Sequence, residues 1–202
     1  MPEWTRDTPW RQGHLLTADS AKALGIDAKD SLVVVISHDC DLATLPEDGE
    51  PCVEVLIGRS LSQANENYTY GKHARVLHTN FSDLSEHIMG EFAAGNRASI
   101  LKVALAEHQP DEKRRFTPEE LARFQMWLAA RYRRASFPDP FRERLKKVSK
   151  KIEVILQRGK GYIVGLYFNL DSNREIIRTA PEDVYRLDIF VIYNSDASSK
   201  GR

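Results

Sequence analysis

Apolar and polar positions change period several times along the chain, and each change predicts an element. Ser31-Leu-Val-Val-Val-Ile-Ser37 is an unbroken aliphatic run, mostly β-branched, which predicts a buried strand. After the polar stretch 45–51, Cys52-Val-Glu-Val-Leu-Ile57 alternates as a second strand of the same sheet, with Gly49 and Pro51 in the turn. Shorter strands are expected over 73–78 and 98–104, with a helix or loop over 82–92 between them. Near the start, Gly13 marks a turn into a short strand, and residues 18–24 form one helical excursion that stops near Gly25.

From Thr117 the period becomes helical. Thr117-Pro-Glu-Glu120 reads as a capping box, with Thr at the N-cap, Pro at the first helical position and Glu120 reaching back to the N-cap amide. Leu121, Phe124, Trp127 or Leu128, and Tyr132 follow at helical spacing until Phe137-Pro-Asp-Pro140 breaks the run. Asp139 then caps a second helix, whose stripe of Phe141, Leu145, Val148, Ile152 and Ile155 is expected to be buried, and Gly159 and Gly161 end it. Strands follow over 162–168, 175–178 and 184–193. The pattern predicts an α+β fold: an N-terminal β-rich core, then a helical pair and C-terminal antiparallel strands. Residues 1–110 form the β-rich domain, 111–194 carry the helices and later strands packed on the same core, and 195–202 are a polar tail with nothing to bury.

The 202 residues are 42% hydrophobic, enough for one substantial core, and the formal net charge is zero. No whole-molecule field therefore draws the chain to nucleic acid or anionic lipid. Residues 131–160 depart from this balance, with eleven Lys and Arg against three Asp and Glu, a net +8. Arg131, Arg133 and Arg134 with Tyr132 among them, and Lys147 and Lys151 on the second helix, are candidates for contacting RNA or DNA. A guanidinium takes phosphate in a two-pronged fork, and an aromatic face stacks on an unpaired base. The competing reading is a solvated helix face. Two cysteines are too few for a disulfide framework and fit a reducing compartment. The start does not resemble a secretory signal, and no window approaches the ~20 apolar residues of a membrane span, so a cytoplasmic location without membrane contact is expected.

The strand over 31–37 opens directly into His38, Asp39, Cys40 and Asp41, which makes its end the candidate site. Metal binding is one chemistry: His38 and Cys40, with Cys52 and either His78 or His73, would make a tetrahedral zinc set. Asp39, Asp41 and Glu54 would instead suit magnesium or manganese in phosphodiester hydrolysis, although no Glu-X-Lys element follows at Glu54. Cys40 as a nucleophile is disfavoured by its flanking aspartates, which would raise the thiol pKa. The structural reading has Asp39 and Asp41 closing an Asx-turn, Cys40 as a small buried hydrophobe and His38 bonded to a backbone carbonyl.

Trp10-Arg-Gln-Gly13 followed by Leu15-Leu16, and then Val33-Val-Val-Ile-Ser37, resembles the start of the MazF/PemK toxins over about the first 60 residues. The chain departs from that pattern at His14, where the family shows an acidic residue, and at Lys29-Asp-Ser31, where it shows Arg-Pro. The resemblance implies an SH3-like barrel and a metal-independent endoribonuclease in which an Arg and a Ser or Thr promote attack by the ribose 2′-hydroxyl. Arg11 and Ser37 stand nearest to those positions. Trp-Arg-Gln-Gly, Ser-His-Asp-Cys-Asp-Leu and the stretch from Trp127 to Asp139 also look like a bacterial family associated with mobile elements and phage defence. The expected function is a nucleic-acid-directed protein, a nuclease or a toxin or defence component, with His38, Asp39, Asp41, Arg11 and Ser37 as the catalytic candidates. The alternative is a non-catalytic module that binds a protein partner or a second copy of itself, with a structural His-Asp-Cys-Asp turn.

Overall fold

The computed structural model describes residues 3–26, 31–82, 87–133, 137–159, 162–173, 176, 178, 180 and 183–193, and the chain divides into two compact units, 1–133 and 134–202. The first is built on an antiparallel sheet of β1 (Ser31–Val35), β2 (Cys52–Leu61), β3 (Val76–Ser82) and β4 (His87–Leu101), in the order β1-β2-β4-β3. The fold class is α+β, as the sequence predicts. Isolated bridges extend both edges of this sheet, Leu15 to Val34 beside β1 and Ser82 to Arg115 beside β3, with Leu16 bridged to Pro110; these pairings do not by themselves establish the expected SH3-like barrel.

Alternate residues of the first strand enter different cores. Val33 and Val35 pack with Trp4, Trp10, Leu16, Val53, Val55 and Ile100 on one face of the sheet. That face also takes Ala21 from α1 (Ala18–Ala23), Leu42 from α2 (Asp39–Ala43) and Leu105 from α3 (Lys102–Leu105). Leu32, Val34 and Ile36 pack on the other face with Leu56, Leu77, Phe81 and Phe92, and with Phe124 and Trp127 of α4 (Pro118–Arg133). A strand covered on both sides has no position for a polar side chain, which is why this segment lacks alternation.

Of the stretch 82–92, residue 82 ends β3 and 87–92 begin β4, paired antiparallel so that His78 opposes Glu91 and Leu77 opposes Phe92, in place of the expected helix or loop; residues 83–86 lie outside the described residues. Gly90 hides the period: a side chain there would come within 2.8–2.9 Å of Leu32, Phe81 and Phe92, so the inward position between Ile88 and Phe92 stays empty. Gly58 allows the same closeness in β2, where a Cβ would lie 2.5 Å from the Glu91 carbonyl. The predicted strand over 98–104 stops at Leu101, and Lys102 starts a helical turn.

The Thr117 hydroxyl accepts from the Glu120 amide at 3.2 Å, so α4 starts where its cap predicts. The Glu120 carboxylate does not return to the N-cap amide. It accepts from the Thr79 hydroxyl at 2.8 Å and pairs with Arg123 at 2.5 Å, tying the helix to β3.

The second unit pairs α5 (Asp139–Arg158) with an antiparallel ribbon of β5 (Ile163–Leu170) and β6 (Leu187–Tyr193). Pro138 is the N-cap, so Asp139 is the first helical residue, paired with Arg142, and not the cap. Of the predicted stripe only Phe141 is buried, while Val148 and Ile155 are 42% and 61% exposed. Two strands are too narrow to cover a helix of 20 residues. The packing concentrates at the helix start, where Phe141 meets Phe137 and Tyr185, and Arg178 lies 3.8 Å over the Tyr185 ring. Of the strand predicted over 175–178, residues 176 and 178 are not in a strand and 175 and 177 lie outside the described residues, as does the tail 195–202. Among the described residues no helix is long and apolar enough to cross a membrane.

Candidate functional site

The end of β1 is latched to its neighbour. The Ile36 amide donates to the Glu54 carbonyl at 2.9 Å, and the Ser37 hydroxyl accepts from the Glu54 amide at 2.8 Å. The Ser37 hydroxyl oxygen therefore ties the strand end to β2. His38 follows as the N-cap of α2, its Nδ1 accepting from the Cys40 amide at 3.3 Å. This replaces both the expected Asx-turn and the expected bond from His38 to a carbonyl. Asp39 accepts from the Gln12 amide at 2.8 Å, which docks the 10–14 loop here, and Asp41 and Cys40 are exposed.

His38 opens onto a cleft of about 460 Å³ between the strand end and α4. Its polar side chains are Gln12, His38, Glu54, Arg97, Gln125 and Tyr132, over a floor of Ile36, Leu128 and Ala129. The Arg97 guanidinium is braced, with Nε donating to the Ala94 carbonyl at 3.0 Å and Nη1 to the Tyr132 hydroxyl at 2.9 Å. Its Nη1 lies 4.0 Å from the Glu54 carboxylate. On the opposite wall Gln125 donates to the Gln12 side-chain oxygen at 2.9 Å, and Gln12 donates to the Ile36 carbonyl at 2.8 Å. The Tyr132 ring is 74% exposed and the Glu54 side chain 57% exposed, so both are accessible from solvent.

Three sequence candidates, His38, Glu54 and Tyr132, thus share one cleft. Arg131 is exposed near it on α4, the Arg133 side chain and Arg134 lie outside the described residues, and Lys147 and Lys151 are exposed on α5 in the second unit. Arg11 is engaged elsewhere: its guanidinium donates to the Thr8 and Trp10 carbonyls at 2.5 and 2.7 Å. Beside it, burial first, and then Arg115 and Arg11, hold the His14 pKa below its usual value.

The zinc set of His38, Cys40, Cys52 and His78 is not assembled. His78 is buried with both ring nitrogens occupied, Nδ1 accepting from the Asn65 amide at 3.0 Å and Nε2 bonded to Glu91 at 2.9 Å. His73 accepts from the Val76 amide through Nδ1 at 3.1 Å. Among the described residues no three His, Cys, Asp or Glu side chains are grouped to hold a metal ion, which also leaves Asp39, Asp41 and Glu54 apart as a set.

Sequence reasoning missed Gln12, Arg97 and Gln125 as site residues, and Lys102 as a support of α2. Lys102 is fully buried, and its ammonium donates to the Asp41 and Thr44 carbonyls at 2.6 and 2.7 Å. Burial pushes its pKa down, and Glu50, Asp41 and Cys52 partly offset this. One available signal was the second face of α4: Gln125, Leu128, Ala129 and Tyr132 recur at helical spacing beside the core stripe. No protein-family model matches the chain, and no curated protein or solved structure matches it.

Proposed function

We propose that the chain is a nucleic-acid-directed protein that seats a single RNA strand in this cleft and cleaves it by attack of the ribose 2′-hydroxyl. The observation that supports this reading is the convergence of His38, Glu54, Arg97 and Tyr132 on one cleft. Its volume of about 460 Å³ falls within the roughly 300–1,000 Å³ of ligand sites. Arg97, braced through Nε and Nη1, is oriented to take a phosphate oxygen with its remaining donors. Because His38 Nδ1 accepts from the Cys40 amide, Nε2 carries the proton of the neutral ring and donates to the same phosphate. The exposed Tyr132 ring offers a face for stacking a base.

Glu54 is the base. Its carboxylate takes the 2′-hydroxyl proton as the 2′-oxygen attacks phosphorus, and Arg97 and His38 stabilise the added charge. The bond from phosphorus to the 5′-oxygen breaks, that oxygen takes a proton from solvent, and Glu54 returns its proton to solvent. The products are a 2′,3′-cyclic phosphate and a 5′-hydroxyl. A 2′-hydroxyl supplies the nucleophile from within the substrate, which selects RNA over DNA. Arg11 and Ser37, the positions nearest the MazF/PemK pattern, have no role in these steps.

The test is incubation of the purified chain with single-stranded RNA and identification of the new ends. Cyclic phosphate and 5′-hydroxyl ends are expected, with cleavage blocked by deoxyribose at the cut. Glu54→Gln should lower the rate by about 10²–10⁴-fold, the usual contribution of a general base. RNA that binds but stays intact removes the catalytic half of the reading. Equal binding by the unaltered chain and by Arg97→Ala removes the cleft.

A further inference from the structure

The longest helix carries a row of cations that the cleft does not use. Arg142 and Lys146 are paired with Asp139 and Glu143. Beyond them, Lys147, Lys150, Lys151 and Arg158 are exposed and make no ion pair or hydrogen bond to a described residue. At 3.6 residues per turn these four side chains fall within an arc of about 100°, and the row spans about 16 Å. Glu153, the one acidic residue after Glu143 in this helix, lies outside the arc, about 60° beyond Lys150. Val154, 47% exposed, lies within the arc, and Val148 and Ile155, 42% and 61% exposed, run along its Lys151 side, so an anionic bilayer is the competing occupant that the vesicle arm of the test addresses.

We infer that this face of α5 is a second, sequence-independent anchoring surface for the phosphate backbone of a nucleic-acid strand. The inference rests on the RNA reading of the cleft for the identity of the polyanion. Stacked nucleotides place one charge about every 3.4 Å along a strand, so a row of about 16 Å runs alongside roughly five phosphates. Four flexible, unpaired cations suit a backbone that must be held without regard to base, and paired cations would first have to give up their partners. The face would increase affinity for long strands, while a substrate confined to the cleft would be indifferent to it.

The experiment uses the full chain and a fourfold variant, Lys147→Gln, Lys150→Gln, Lys151→Gln and Arg158→Gln, with unchanged circular dichroism and melting confirming its fold. Binding of a long single-stranded RNA and of a trinucleotide is measured across a salt series. The inference predicts that the variant loses at least tenfold in affinity for the long RNA. The slope of log K against log salt should fall by about 3, from about 0.7 per phosphate released, and trinucleotide binding should not change. An unchanged slope for the long RNA overturns the inference, as does a preference of the unaltered chain for anionic vesicles over RNA. Failure of the cleft reading is separate: the trinucleotide then does not bind, and Arg97→Ala behaves as the unaltered chain with both strands.

Discussion

Glu91 joins side chains of two neighbouring strands in the first unit. Its carboxylate accepts from Arg59 at 2.7 Å and bonds to the buried His78 at 2.9 Å. The Arg59 bond, and then the His78 bond, hold its pKa below the usual 4.5. Because the folded value lies below the unfolded one, the unfolded chain binds the proton more readily in the window between them. The stabilisation is complete above the unfolded value and disappears as pH falls through the folded one. Glu91→Gln should therefore cost about 1–2 kcal/mol near neutral pH and nothing in strong acid, read as urea midpoints across pH. A difference that stays constant with pH would show that the carboxylate charge is not involved. Nothing in the sequence announces this pair, since His78 looked like a metal ligand and its partner lies on the neighbouring strand. The alternation that would have revealed that strand is interrupted by Gly90.

At the scale of elements, α2 sets the position of His38, and five residues are too few for a helix to hold itself. It is held from outside by the His38 cap, the burial of Leu42, the Trp4 indole N–H on the Leu42 carbonyl at 2.9 Å, the Gln12 amide on Asp39, and the Lys102 ammonium on the Asp41 and Thr44 carbonyls. Lys102→Met keeps the bulk and removes the donors, leaving the Thr44 carbonyl without this partner and the Asp41 carbonyl with only the Thr44 amide at 3.3 Å. It should destabilise the chain by about 1–3 kcal/mol and speed amide exchange at Leu42, whose N–H bonds the His38 carbonyl. Unchanged exchange at Leu42 would mean that the turn is held without Lys102. Elements with a strong local signal were legible: β1 from its aliphatic run, and α4 from Thr117 and Pro118. The lysine was not, because a charged residue after Ala98-Ser-Ile-Leu101 reads as solvent-facing, and its two acceptors are distant in sequence. The α5 stripe misled for the opposite reason, since periodicity reports which face is apolar and not whether anything covers it.

Over the whole molecule, the α+β class followed from strands grouped at both ends around two helical runs. How those parts come together did not, because the cleft takes one wall from a strand end and the other from a helix far along the chain. The basic segment over 131–160 is split by the unit boundary: Tyr132 joins the cleft of the first unit, and the unpaired lysines belong to the second. A zero net charge therefore conceals a local excess of basic residues on one helix. The central claim is that RNA occupies the cleft of His38, Glu54, Arg97 and Tyr132. The most direct measurement is nuclear magnetic resonance of the isotope-labelled full chain titrated with a trinucleotide carrying 2′-deoxyribose, which can bind and cannot be cut. The claim predicts saturable shifts of the Gln12 and Gln125 side-chain amides, the His38 ring and the Arg97 Nε–H, with the buried His78 ring unmoved. Saturable shifts that leave all four cleft groups unmoved, or no shifts at low salt, would contradict it.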